Sequence, residues 1–99
     1  MNKQKVSNLL GLAQRAGKII SGEEMVVKAI QEQKAKLVFL AHDAAPNLIK
    51  KIQDKSHYYQ VEVVTVFSTL ELSIAVGKSR KVLAVTDAGF TKKMRSLME

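Results

Sequence analysis

Leu37-Val38-Phe39-Leu40-Ala41 constrains this chain more than any other stretch, because it offers no polar residue to turn toward water. A continuous apolar strand of this kind is covered on both faces, whereas a half-exposed strand alternates apolar and polar residues. The rest of the chain must therefore supply helices above and below it. Val82-Leu83-Ala84-Val85-Thr86 has the same character and predicts a second buried strand.

The flanking sequence supplies those helices. Between Lys3 and Ala16, Val6, Leu9, Leu10, Ala13 and Ala16 recur at helical spacing, and Gly17 closes the helix. Ile19-Ile20 reads as a short β-branched strand, and Glu23 to Gln33 as a second helix with Val26, Val27 and Ile30 facing inward. After the Leu37–Ala41 strand, Asp43-Ala44-Ala45-Pro46 opens a third helix. Asp43 reads as its cap, Pro46 fits the first turn, and Leu48, Ile49 and Ile52 form the buried stripe. Val61 to Val66 predicts the third strand. Ser68-Thr69-Leu70-Glu71 has the spacing of a capping box and starts a fourth helix that stops at Gly77. A last helix carries Phe90, Met94 and Leu97. Helix and strand thus alternate through nine elements, which means an α/β domain with helices on both faces of a central sheet. Strand order and direction are not contained in this pattern.

With 99 residues and no linker or repeat, the expectation is one domain, residues 1–99. The absence of cysteine excludes disulfides and Cys-ligated metals, and His42 and His57 are too isolated to suggest a zinc site. Met1 to Lys5 lacks the apolar run of a signal peptide, and no later stretch is long enough to span a bilayer. A cytoplasmic protein without membrane partners is expected. The formal net charge of +7 comes from 16 Lys+Arg against nine Asp+Glu. Basic residues cluster at Lys3, Lys5, Arg15 and Lys18, at Lys78, Arg80 and Lys81, and at Lys92, Lys93 and Arg95. This balance points to a polyanionic partner.

The stretch from Gly17 to Asp43 holds the main candidate site. Ser21 and Glu24 stand at capping-box spacing, and Gly22 between them lets another backbone come close. Lys28 follows Glu24 by one helical turn. A helix start offers unpaired N–H groups and partial positive charge, both suited to phosphate.

Other chemistries fit less well. Gly77-Lys78-Ser79 matches the end of a P-loop, but Leu72 stands where the first glycine belongs, and Gly77 closes a helix rather than opening one. His42-Asp43 lies at a strand end without a nucleophile nearby, so Asp43 is better read as a cap and His42 as a loop residue. Glu23 and Glu24 are expected in a first helical turn from the dipole alone. Tyr58-Tyr59 could stack bases but reads more simply as partial core.

Three marks together resemble the ribosomal-protein superfamily of kink-turn RNA binders, which includes archaeal and eukaryotic large-subunit proteins and small bacterial relatives. They are the Gly22-to-Lys28 spacing, the run Leu37 to Pro46, and Glu71 to Lys78 followed by Val82 to Asp87. The resemblance covers nearly the whole chain. It implies a three-layer α/β/α sandwich around a mixed four-stranded sheet, and an RNA-binding role without catalysis, cofactor or metal. In the family the helix start reads Gly-x-Asn-Glu-x-x-Lys and enters the groove of a bent RNA, while a second loop before the last strand covers an extruded nucleotide. Here Gly22 and Lys28 are kept, but Glu24 stands at the Asn position and Met25 at the Glu position. Glu24 can accept from a base edge but cannot donate, and Met25 offers only apolar contact. The second loop is Lys78-Ser79-Arg80-Lys81, more basic than is usual for the family.

The resulting expectation is a monomeric binder of structured RNA, such as ribosomal RNA on the ribosome. Lys18, Lys28, Lys78, Ser79, Arg80 and Lys81 would contact phosphate, Gly22 would admit the RNA backbone, Glu24 would be the candidate base reader, and Glu23 would belong to the same RNA-binding helix start. The alternative is a protein–protein adaptor on the ribosome or transcription machinery that uses the same fold.

Overall fold

A computed structural model describes residues 1–99. The elements run α1 Lys3–Arg15, β1 Ile19–Ser21, α2 Glu23–Gln31, β2 Leu37–Leu40, α3 Pro46–Tyr58, β3 Val63–Val64, α4 Thr69–Val76, β4 Val82–Val85 and α5 Ala88–Met98. The sheet order is β1-β4-β2-β3. β4 is antiparallel to both β1 and β2, while β2 and β3 are parallel, so the sheet is mixed. The two apolar runs are its central strands. They pair with Phe39 opposite Leu83 and Leu40 opposite Val82, and every residue of β2 and β4 is buried.

α1 packs against α4 and α5, and α2 packs against α3, which covers the sheet on both sides. Val6, Leu10 and Ala13 enter the core from α1, Val26, Ala29 and Ile30 from α2, Ile52 from α3 and Met94 from α5. Phe39 is fully enclosed and tilts against Phe67, with ring centroids 5.8 Å apart.

Several expectations need correction. Ala16 is exposed, and Phe90 and Leu97 are only partly covered. The third strand shrinks from Val61–Val66 to Val63–Val64, because it lies at the sheet edge and pairs only with Val38 and Phe39 of β2. Asp43 does not cap α3, whose N-cap is Ala45 with no side-chain hydrogen bond. The Ser68–Glu71 capping box forms as expected: Glu71 N–H donates to Ser68 Oγ at 3.1 Å, and Ser68 N–H to Glu71 Oε1 at 2.9 Å.

The ends of α1, α2 and α3 share one geometry. At each, a left-handed residue and its successor close back on the last turn, as Gln60 N–H does on His57 O and Val61 N–H on Ser56 O. Gly17 holds that position after α1 with φ 72°, but Gln33 (φ 61°) and Gln60 (φ 58°) hold it after α2 and α3.

Candidate functional site

β1 ends at Ser21, opposite Leu83, and the chain turns at once into α2. Gly22 forms that turn. Its N–H donates to Val82 O at 3.1 Å and its carbonyl accepts the N–H of Val26 at 3.0 Å. Its dihedrals, φ 94° and ψ 150°, belong to a region essentially restricted to glycine. A Cβ added at Gly22 would meet no atom within 4 Å, so the backbone angle, rather than crowding inside the chain, requires glycine.

The capping box expected at Ser21–Glu24 does not form, because Gly22 is the N-cap and α2 carries no side-chain cap. Ser21 is committed to the sheet instead, and its Oγ accepts Arg80 Nε–H at 2.8 Å. The N–H groups of Glu23, Glu24 and Met25 consequently have no acceptor in the chain. They leave an unsatisfied, partly positive helix end facing solvent. Glu23 accepts from Lys51 Nζ at 2.9 Å, which ties α2 to α3. Glu24 and Lys28 are exposed and unpaired.

The second loop arrives at the same place. α4 stops at Gly77, left-handed at φ 78°, and residues 78–81 lead back into β4. Ser73 Oγ donates to Thr69 O at 2.7 Å and accepts Arg80 N–H at 3.0 Å, which pins the loop to α4. Arg80 then bridges outward, with Nε–H on Ser21 and an Nη1–H on Ser79 O at 2.7 Å. The Lys81 carbonyl accepts Ala41 N–H at 2.8 Å. Ser21, Gly22 and Glu23 therefore line one open cleft of about 450 Å³ together with Ser79, Arg80 and Lys81. Val82 of β4, with Ala45 and Leu48 from the start of α3, completes it. In the sequence Leu48 reads as part of the buried stripe of α3 and Ala45 as the approach to that helix, because an apolar residue at a helix start looks like ordinary core. Lys28, Lys78, Arg80 and Lys81 form no ion pair, so their charge is not neutralised within the chain.

The other predicted residues lie elsewhere. Lys18 is at the opposite end of β1, where its carbonyl accepts Thr86 N–H at 3.0 Å. Four residues of extended chain put it roughly 13 Å from Gly22. Glu24, Lys28 and Lys78 sit on the exposed surface outside the cleft lining. Asp43 Oδ1 accepts the backbone N–H of Thr69 at 2.9 Å and its hydroxyl at 2.7 Å, which staples the β2–α3 loop to the start of α4. Those Thr69 bonds hold the Asp43 carboxyl below its ordinary range. The Ser68 N–H and the Lys3 ammonium do the same for Glu71. The His42 side chain is exposed and hydrogen-bonded to nothing, so it does not form a base–carboxylate pair with Asp43. No three His, Asp or Glu side chains converge on one point, and no helix is long and apolar enough to cross a membrane.

A glycine turn at an uncapped helix start and a basic loop thus meet at one end of a small α/β/α sandwich with a mixed four-stranded sheet. The chain belongs to the ribosomal protein L7Ae/L30e/S12e/Gadd45 family, whose sequence pattern matches residues 4–95. It is 50% identical over 98 residues to the RNA-binding protein YlxQ of Enterococcus faecium, covering 99% of this chain and 95% of that one. The Bacillus subtilis RNA-binding protein YlxQ is 49% identical over 92 residues, 92% of each chain. Among solved structures, a Bacillus halodurans protein of unknown function superposes with a TM-score of 0.90 at 44% identity, over 95% of this chain and 96% of that one. The Giardia lamblia 15.5kD RNA binding protein shares the fold, with a TM-score of 0.83 at 19% identity over 95% of this chain and 82% of its own.

Proposed function

We propose that the chain acts as a single, non-enzymatic RNA-binding domain that holds structured RNA, such as ribosomal RNA, across the Gly22 turn and the 78–81 loop. The observation that carries this reading is the convergence of the two segments on one cleft through the Arg80–Ser21 hydrogen bond. Three unpaired N–H groups at the start of α2 and the unneutralised Arg80 and Lys81 suit phosphate oxygens. Lys28 extends the same positive surface along α2, and Lys78 extends it along the loop. Lys18, at the far end of β1, is left outside this surface. Family membership and the named functions of the YlxQ proteins support the reading. With Glu24 and Met25 at the two base-reading positions, contacts to phosphate dominate over contacts to base edges, which favours affinity over kink-turn selectivity. The domain works as a monomer in the cytoplasm.

A mobility-shift titration with a kink-turn RNA and a plain duplex of equal length tests this. Arg80→Ala should weaken both complexes while the circular dichroism spectrum stays unchanged. Unaltered affinity in a folded Arg80→Ala protein would overturn the proposal.

One observation favours a protein partner as well. Leu70 and Ile74, one turn apart on the outer face of α4, are 68% and 71% exposed. A high-salt wash separates the two readings, because an electrostatic RNA complex dissociates and an apolar protein contact does not.

A further inference from the structure

The third basic cluster, at Lys92 and Arg95, takes no part in the Gly22 cleft. It borders a second, larger cavity of about 690 Å³ at the opposite end of the sheet, as open to solvent as the first cleft. α2 connects the two sites: its N-terminus faces the first and its C-terminal turn, with Gln33, faces the second. The volume lies within the range of small-molecule sites.

What distinguishes this cavity is the conformation of two of its residues. Gln33 and Gln60 end α2 and α3 in the left-handed conformation, and both line the cavity. Glycine relieves strain at such a position, and α1 ends that way with Gly17. Both glutamines therefore retain a strained backbone where a less strained residue exists. Strain of this kind is found where a side chain has a use. Here the use is to present two carboxamides, each able to donate and accept.

The remaining lining narrows the ligand. Lys36, Lys92 and Arg95 supply positive charge, with Glu99 the one acidic residue of the lining and Arg95 also held by Glu62 at 2.9 Å. A bare anion is a poor fit, because the C-terminal ends of α2 and α3 carry partial negative charge. A ligand with an anionic group at one end and hydrogen-bond donors and acceptors at the other satisfies both. Tyr59 adds an aromatic ring, partly buried and edge-on to Tyr58. Thr91, 4% exposed, lies in the lining with no partner for its hydroxyl oxygen. We infer that this cavity binds a nucleotide, with the phosphate on Lys36, Lys92 and Arg95 and the base edge read by Gln33 and Gln60 beside Tyr59.

Saturation-transfer NMR on AMP, GMP, CMP and UMP tests the inference, with inorganic phosphate and the free nucleosides as controls. A saturable transfer to base protons is expected for at least one mononucleotide and absent for its nucleoside at equal concentration. Comparing 5′-phosphorylated with 5′-hydroxyl dinucleotides tells a free nucleotide from an RNA terminus as the source. Gln60→Gly should weaken binding about tenfold, the worth of one good hydrogen bond. The same variant should melt several degrees higher, so the loss cannot be misfolding. Lys92→Ala should weaken binding comparably, and Arg80→Ala, in the other cleft, should leave it unchanged. Absence of saturable transfer, or equal transfer in the Gln60→Gly and Lys92→Ala proteins, would overturn the inference. Binding of phosphate alone would also overturn it.

Discussion

Replacing Gly22 by alanine isolates the cost of one backbone angle. At φ 94° and ψ 150° an L-residue is strained, yet the methyl group would project into open space with no atom within 4 Å. No clash contributes, so the whole penalty is conformational, about 1–3 kcal/mol. For a chain of this size each kcal/mol moves the melting temperature by about 4–8 °C, so a fall on the order of 10 °C is expected. The alternative, relaxing φ to a negative value, would pull Gly22 N–H from Val82 O and disturb the Ser21–Arg80 contact that joins the two loops. RNA affinity should therefore drop together with stability when both proteins are compared well below their melting temperatures. Urea titration and calorimetry measure the first effect, and a binding titration at low temperature measures the second. A variant as stable as the parent would refute the backbone argument. A destabilised variant with full affinity would show that RNA does not use this turn.

Phe39→Ala removes a fully enclosed ring from a central strand and its contact with Phe67. It should cost roughly 3–5 kcal/mol by denaturant titration, and a loss near zero would contradict the core assignment. Lys28→Ala should reduce the slope of log affinity against log salt by about one unit. Glu24→Gln keeps an acceptor and removes a negative charge, so it should weaken a sheared-pair RNA more than duplex if Glu24 reads a base. Equal strengthening on both RNAs would exclude that role. Asp43 and Glu71 are held below their ordinary pKa by hydrogen bonds present only in the folded chain. Their contribution is complete above the unfolded carboxylate pKa and is lost as pH falls through the lower folded value. Acid unfolding should therefore steepen below about pH 4. Asp43→Asn, followed by circular dichroism, should flatten that limb.

The layered architecture was legible in the sequence because burial on both faces leaves a direct mark: β2 and β4 read as unbroken apolar runs. Helix ends were legible only where local chemistry decides them. Ser68–Glu71 forms its capping box, whereas Ser21–Glu24, at the same spacing, does not, because Gly22 turns the chain and Arg80 engages the Ser21 hydroxyl. Asp43 shows the same limit, since its partner Thr69 is 26 positions away and no local pattern reveals it. Strand order depends on long-range pairing and left no trace. The Gly22 turn and the 78–81 loop could each be picked out, but their meeting required β1 beside β4, which only the folded sheet provides. For the same reason Leu48 reads in the sequence only as core of α3 and Ala45 only as its approach, and Lys18 stands with Gly22 by sequence proximity alone.

The central claim is that the two loops form one RNA surface. Titrating isotope-labelled protein with a kink-turn RNA while following backbone amide resonances tests it most directly. The account predicts that the amides of Gly22 to Lys28 and of Lys78 to Lys81 shift together, with the same saturation curve, while those of Leu70 and Ile74 stay still. Shifts confined to the Leu70–Ile74 face of α4, or to one loop without the other, would contradict it.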